Sequence, residues 1–175
     1  MLARRRLWLT LGGLLGLTAL GACNFRPMLL AKGGDDTIVS EDLAAIEILT
    51  PDDRLGFLVR NALFEELNPR SLPIPARYVL SVRLRSTESK LGIQLDSTIT
   101  RYNLTVTAAF ALSDKKTNDI LVDTTVQRIS SYNVSRQPYA DLVASHTAER
   151  RAADLIGTDI GMILAAYFAR PAPVT

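Results

Sequence analysis

The chain has 175 residues, and its 20 basic and 18 acidic side chains give a net charge of +2. Three arginines at the extreme N-terminus account for this excess, so the rest of the chain is close to neutral and no nucleic-acid partner is expected. Cys23 is the only cysteine, which excludes an internal disulfide and a thiol-based metal site.

The first 22 residues have the organisation of a bacterial lipoprotein signal peptide. Arg4 to Arg6 form a basic flank, and an apolar run from Leu7 to Leu20 follows. This run is shorter than the roughly 20 apolar residues that span a bilayer, so it does not predict a transmembrane helix. The end of the segment, Leu20-Gly21-Ala22-Cys23, resembles a lipobox. We predict a cleaved signal peptide over residues 1–22 and lipidation of Cys23; the alternative is an ordinary secretory signal followed by a chance cysteine.

Lipidation of Cys23 would attach a diacylglycerol and an N-acyl chain such as palmitate, and no other cofactor is expected. Each buried methylene contributes about 0.8 kcal/mol to membrane binding, so several chains anchor a protein stably where one is marginal. Asn24 follows the cysteine, whereas an aspartate there is typical of retention at the inner membrane. We therefore expect attachment to the periplasmic side of the cell outer membrane.

The mature chain would contain 153 of the 175 residues, which suits one domain with a substantial core. The lipidated terminus and a flexible tether, rich in glycine and aspartate near its end, are predicted over residues 23–37. A single domain is expected over residues 38–169. Two prolines indicate a frayed tail over residues 170–175.

The domain begins with a predicted strand and helix. Alternating isoleucines place a first strand within Leu43–Leu49. Thr50-Pro51-Asp52-Asp53 then supplies the capping side chain, the proline and the acidic charge that are typical of a helix start. An apolar stripe follows at helical spacing until Asn68-Pro69 ends it. The members of this stripe are Leu55, Leu58, Val59, Ala62, Leu63 and Leu67.

Three strands are predicted in the centre of the chain. Residues Tyr78–Arg85 and Arg101–Leu112 alternate between apolar and polar types, which indicates strands with one buried face. The polar segment Ser113–Asp119 predicts a turn, and the alternation resumes at Ile120. Its phase changes at Ile129, which indicates a bulge or the end of the strand.

A long helix is predicted from Pro138 onward. Its apolar face comprises Leu142, Ala152, Ile156, Ile160, Ile163, Leu164 and Tyr167. Small residues such as Gly157 and Gly161 would allow this helix to lie close to a sheet, or they merely weaken it by about 1 kcal/mol each relative to alanine. The order β-α-β-β-β-α predicts an α+β, two-layer fold: a roughly four-stranded, mostly antiparallel sheet with two helices on one face.

The chain contains few groups that could carry out catalysis. His146 is the only histidine, and Asp141 and Glu149 lie five residues before it and three after it. A dyad is conceivable, but a lone histidine on such a helix is most often structural or exposed. Paired-histidine metal spacing, a GxSxG elbow and a phosphate-binding glycine loop are all absent from the sequence. We therefore expect no enzymatic activity, no catalytic residue and no metal site.

The polar faces of the predicted strands offer a surface of a different kind. Its members are Arg83, Arg85, Arg101, Asn103, Thr105 and Thr107. Such a face is commonly just solvated. It would also fit the polar lumen of an outer-membrane β-barrel, and these two interpretations remain open.

Several segments resemble one family. The segment Cys23-Asn24-Phe25-Arg26-Pro27 is similar to the CGFRP start of the lipopolysaccharide-assembly lipoproteins of the LptE family, the E component of the lipopolysaccharide transport machinery. Asn24 departs from the more common glycine. The resemblance continues in order through Asp53-Arg54-Leu55-Gly56, Arg60-Asn61-Ala62-Leu63, Thr100-Arg101-Tyr102-Asn103-Leu104, Ser131-Tyr132-Asn133-Val134 and Tyr139-Ala140.

The resemblance implies a four-stranded sheet with two helices. It also implies an outer-membrane lipoprotein that plugs an LptD-type β-barrel, helps that barrel to assemble, and takes part in delivering lipopolysaccharide to the outer leaflet. Two alternatives remain: an accessory lipoprotein of another envelope transport or secretion machine, and a lipid-anchored hydrolase whose activity depends on His146.

Family members are also thought to bind lipopolysaccharide through basic residues at one end of the sheet. In a meander, the turns around Glu88–Ser97 and Asn133–Gln137 share an end. Lys90 and Arg136 are therefore the candidate lipopolysaccharide-binding residues, since lysine and arginine both bind phosphate groups.

Overall fold

The structure is a computed structural model that describes residues 35–93, 99–134 and 137–170, all within a compact unit of residues 32–175. The predicted signal peptide and Cys23 lie outside the described residues. The elements in chain order are α1 (Asp35–Ala44), β1 (Ile46–Leu49), α2 (Arg54–Leu67), β2 (Tyr78–Ile93), β3 (Ile99–Asp114), β4 (Ile120–Asn133) and α3 (Pro138–Phe168).

The four strands form one mixed sheet in the order β1-β2-β3-β4. β1 pairs with β2 in parallel, from Ile46 opposite Tyr78 to Leu49 opposite Ser81, and the other two pairings are antiparallel. α2 is the crossover that a parallel pair needs. The prediction of an α+β fold with roughly four, mostly antiparallel strands is confirmed.

The ends of α2 follow the local chemistry of the sequence. Asp53 is the N-cap, and its Oδ1 accepts a hydrogen bond of 2.6 Å from the Gly56 backbone N–H. The backbone N–H of Asn68 donates to the Phe64 carbonyl at the other end. A β-carbon at Gly56 would lie 2.0 Å from the Pro51 carbonyl oxygen, so a larger residue cannot fit beside the turn that precedes the helix.

The core lies between the sheet and the two long helices. Burial of one large aliphatic or aromatic side chain contributes roughly 1.5–3 kcal/mol, so these residues dominate the stability of the domain. The largest fully buried side chains are Val59, Leu63, Leu80, Val106, Phe110, Leu112, Ile156, Ile160 and Leu164.

The two glycines of α3 face α2. A β-carbon at Gly157 would lie 2.8 Å from the Ala62 β-carbon, and one at Gly161 would lie 2.3 Å from the Glu66 Cγ. The expected close approach therefore occurs, but against a helix and not against the sheet. Because the numbers of both contacts increase together, α2 and α3 run in the same direction.

Two predictions near the start of the domain need correction. Residues 35–44 form α1, which overlaps the predicted tether and was not expected. The first strand is accordingly limited to Ile46–Leu49. Leu43 belongs to the helix and packs into the core, where only 9% of it is exposed, so its burial does not depend on a strand.

Two predictions in the sheet also need correction. β2 does not end near Arg85 but continues to Ile93. β4 passes through Ile129 without interruption, and the irregularity in its pairing lies between Leu112 and Ser113 of β3. Ile129 is 59% exposed and lies opposite Thr105, so the phase change recorded an outward-facing apolar residue on an edge strand.

Candidate functional site

The far end of the sheet and the start of α3 form a region that we call the tip (residues 86–93, 99–103, 131–134 and 137–147). Arg54, the first residue of α2, donates from Nε to Glu149 at 2.8 Å, so α2 begins level with Glu149. The buried residues of α3 begin at Ala148. Tyr139 and Leu142 are 79% and 51% exposed. The tip is therefore the part of the domain that α2 does not cover.

Lys90 lies at the tip within β2, opposite Tyr102. The prediction that it belongs to a turn was wrong, because pairing with β3 continues to Ile93 opposite Ile99. Lys90 is exposed, and its position in the alternation puts it on the helix-bearing side of the sheet. Arg136 lies outside the described residues, so the proximity of these two cations stays a prediction.

A pair of tyrosines lies beside Lys90. The rings of Tyr102 and Tyr132 are stacked with their centroids 5.6 Å apart. The Tyr132 hydroxyl donates to Glu88 Oε1 at 3.0 Å. Burial, and then this bond to Glu88, raise the pKa of Tyr132 to about 12, so the phenol stays neutral at physiological pH. Glu88 is thus held on the same side of the sheet as Lys90 and offsets part of its charge.

A cavity of about 450 Å³, which we call the edge pocket, opens where the end of β4 meets α3. Its lining residues are Arg101, Ser131, Tyr132, Asn133, Ala144, Thr147 and Arg151. The three residues from α3 follow at spacings of three and four, which places them on one side of the helix. Periodicity alone gives no sign of this pocket, because its lining comes from three elements that are distant in sequence.

His146 does not form the conceivable dyad. It is partly exposed on α3, and within residues 35–93, 99–134 and 137–170 it makes no hydrogen bond or ion pair. Glu149 instead accepts from Arg54. The same described residues contain no group of three or more acidic, histidine or cysteine side chains that could hold a metal ion.

The side of the sheet opposite the core, which we call the outer face, carries small polar residues and arginines. Arg83 lies opposite Ala109, and Arg85 lies opposite Thr107. Both arginines are exposed, and neither forms an ion pair with any residue that the structure describes. The outer face therefore presents a positive surface with hydroxyl and amide groups. Across the described part of the chain, no helix is long and apolar enough to cross a membrane.

Comparison with known protein families gives a match over residues 42–160 to LptE, a lipopolysaccharide-assembly family. This chain belongs to the LptE family. The match extends from the last turn of α1 into the second half of α3, and the recognition made from short segments of the sequence is confirmed. A comparison with curated proteins finds no match.

Solved structures share the fold of this LptE-family chain. A protein from Caulobacter crescentus, provisionally described as a lipoprotein, has a TM-score of 0.65 and 24% identity, over 79% of this chain and 100% of that chain. A minor lipoprotein from Acinetobacter baumannii has a TM-score of 0.57 and 18% identity, over 69% of this chain and 90% of that chain. At these identities the similarity shows the fold alone.

Two of the segments that resemble the LptE family meet at the tip. Arg101 lies opposite Asn133, and Tyr102 lies opposite Tyr132. Strand pairing thus brings together residues about 30 positions apart, and three of these four line the edge pocket.

Proposed function

We propose that this LptE-family protein is a lipid-anchored, non-enzymatic plug in the lumen of the outer-membrane β-barrel that inserts lipopolysaccharide. Membership of a lipopolysaccharide-assembly family carries the proposal. In it, Cys23 is the acylated terminus that holds the domain at the periplasmic side of the outer membrane, and an LptD-type barrel is the partner.

The dimensions of the domain support a plug. β2 and β3 have 16 residues each, which at 3.3–3.4 Å per residue corresponds to about 50 Å. The apolar band of an outer-membrane barrel is about 25 Å tall, so the domain is long enough to occupy its lumen and extend beyond one end.

The outer face supports the same proposal. Residues that face the lumen of such a barrel are polar, and a plug needs polar groups to pair with them. The outer face offers the guanidinium groups of Arg83 and Arg85 without competing carboxylates of their own. Contacts of this type are specific in geometry because a guanidinium can bind a carboxylate through two parallel hydrogen bonds.

The proposal is tested by detergent extraction of a tagged full-length chain, affinity purification and mass spectrometry. A large β-barrel protein should co-purify. Arg83→Glu with Arg85→Glu should reduce its recovery, whereas Lys116→Glu with Arg150→Glu, an equal charge change at exposed positions away from the outer face, should not. Recovery of inner-membrane transport or secretion subunits without a barrel would favour the accessory role in another envelope machine.

The anchor is tested separately. Cys23→Ser should abolish acyl labelling and leave uncleaved precursor, because the thiol is the site of the first acyl transfer. Normal labelling of this variant would contradict the assignment of Cys23.

Lipopolysaccharide binding is proposed at Lys90 and Arg136. Lys90→Glu with Arg136→Glu should weaken binding of lipopolysaccharide by the purified chain, and the loss should be larger at low salt because screening is weaker there. Lys115→Glu with Lys116→Glu, at the opposite end of the sheet, is the matched control. A larger loss in the control would place the binding site at the other end.

A further inference from the structure

The edge pocket has the charge of an anion-binding site. Two of its seven lining residues, Arg101 and Arg151, carry guanidinium groups, and none is acidic. Neither of these arginines forms an ion pair with a described residue. The structure does pair other cations with carboxylates, namely Arg54, Arg77, Lys115 and Arg128.

The nearest carboxylates are directed elsewhere. Glu149 precedes Arg151 by two residues, which places it on the far side of α3, where it accepts from Arg54. Glu88 accepts from the Tyr132 hydroxyl, and both Glu88 and Asp141 act on the pKa of that phenol. None of these three acids lines the pocket, so its positive charge is not neutralised from within.

The neutral lining residues suit a ligand that carries hydroxyl groups. The Ser131 hydroxyl donates to Asn103 Oδ1 at 2.6 Å, and the Thr147 hydroxyl donates to the Val143 carbonyl at 2.7 Å. Because both protons are used, the two oxygens are free to accept from a ligand. Asn133 adds an amide that can donate or accept.

The size of the cavity points in the same direction. Its volume of about 450 Å³ lies within the roughly 300–1,000 Å³ of small-molecule pockets, and a single phosphate would leave most of it empty. Ala144 is the only purely aliphatic residue of the lining, which disfavours an acyl chain as the occupant.

We propose that the edge pocket binds a phosphorylated sugar, with Arg101 and Arg151 on the phosphate and Ser131, Asn133 and Thr147 on the sugar hydroxyls. Guanidinium groups bind phosphate oxygens through paired, charge-assisted hydrogen bonds. A free sugar phosphate and the phosphorylated headgroup of a glycolipid share this chemistry. With a glycolipid headgroup as ligand, the site rests on the proposed role in lipopolysaccharide assembly and is separate from Lys90, on the helix-bearing side of the sheet.

The test is a titration of the isotope-labelled full chain, in detergent micelles, with glucose 1-phosphate, followed by the amide resonances. Shifts should be confined to residues 131–134 and 144–151, and uncharged glucose should produce none. Arg101→Gln with Arg151→Gln should weaken binding by about tenfold or more, since hydrogen bonds to charged groups are lost. Arg150→Gln, the exposed neighbour of Arg151 outside the pocket, should leave the affinity within about twofold.

Three results would overturn the assignment: absence of binding by the wild-type chain, unchanged binding by the double variant, or an equal loss in Arg150→Gln. The double variant should keep the wild-type melting temperature, because both arginines are exposed.

Competition then separates the two sources of ligand. Displacement of glucose 1-phosphate by lipopolysaccharide, but not by its dephosphorylated form, identifies a headgroup site. Failure of both to displace it identifies a free sugar phosphate. Loss of barrel co-purification with intact sugar-phosphate binding would refute only the plug, and the reverse result would refute only the pocket.

Discussion

The two ends of the domain differ in how their side chains are covered. At the end opposite the tip, which we call the base, α2 and the second half of α3 lie over the sheet, and Phe110, Ile156 and Ile160 are at most 2% exposed. At the tip, α3 continues alone, and Tyr139, Leu142 and Val143 are about half exposed or more. The same sheet and the same helix run through both regions, so the difference comes from the length of α2.

This difference separates stability from recognition. The base contains the large buried side chains that stabilise the fold, whereas the tip contains the stacked tyrosines, the edge pocket and Lys90. Changes at the base should therefore alter unfolding, and changes at the tip should alter binding with little effect on the free energy of unfolding. The predictions below test this division.

The largest effect is expected for Ile160→Ala at the base. Ile160 is fully buried, so truncation removes apolar contacts and leaves a cavity, at a cost of about 2–5 kcal/mol in the free energy of unfolding. Met162→Ala, two residues further along α3 and 46% exposed at its native residue, is the control. Urea denaturation should show a large fall in midpoint for Ile160→Ala only; similar midpoints for both would mean that this face is not core.

The helix contact at the base should distinguish its two glycines. Gly157→Ala places a methyl group against Ala62, including its backbone, so we expect a net loss of about 1–3 kcal/mol from overpacking. Gly161→Ala meets the Glu66 side chain, which can rotate away, and the better helix propensity of alanine can add up to about 1 kcal/mol. Thermal melting of both variants tests this order, and a stabilising Gly157→Ala would contradict the close contact.

Tyr132→Phe at the tip should have a smaller effect that depends on pH. Loss of the bond to Glu88 costs about 0.5–1.5 kcal/mol. The pKa of Tyr132 is raised from 10.0 to about 12, so the stabilising effect of its neutral form is complete below pH 10 and is lost as the pH rises towards 12. The stability difference between wild type and variant should therefore shrink across this window; a constant difference would exclude the shifted pKa.

The smallest effect is expected for Leu142→Ala. Leu142 belongs to the apolar face predicted from the sequence, but it is 51% exposed at the tip, so truncation should change the free energy of unfolding by no more than about 0.5 kcal/mol. Urea denaturation beside Ile160→Ala measures this directly. A cost comparable to that of Ile160→Ala would show that the tip is covered as well as the base.

Much of the fold could be predicted because it depends on local chemistry. α2 begins at the Asp53 cap and ends at Asn68 as the sequence indicates, and α3 begins at Pro138. β3 follows the longest alternating stretch in the chain. Capping groups and side-chain periods act over a few residues, so a single sequence contains the information that places these elements.

Other features depend on which element lies nearby, and local pattern does not contain that information. The same apolar stripe that buries Ile160 leaves Leu142 exposed, because α2 starts level with Glu149 and reaches no further. Lys90 is in a strand and not in a turn because β3 continues to pair with it.

The sequence by itself therefore determined the class of fold, most of its elements and, through short segments along the chain, its family. Only the tertiary structure decided the parallel β1–β2 pair, the position of the glycines against α2, and the edge pocket. The pocket unites Arg101 with Arg151, which are 50 positions apart, through a strand pairing and a helix that returns beside it. Contacts between distant segments follow from packing of whole elements, and a periodic pattern within one element cannot specify them.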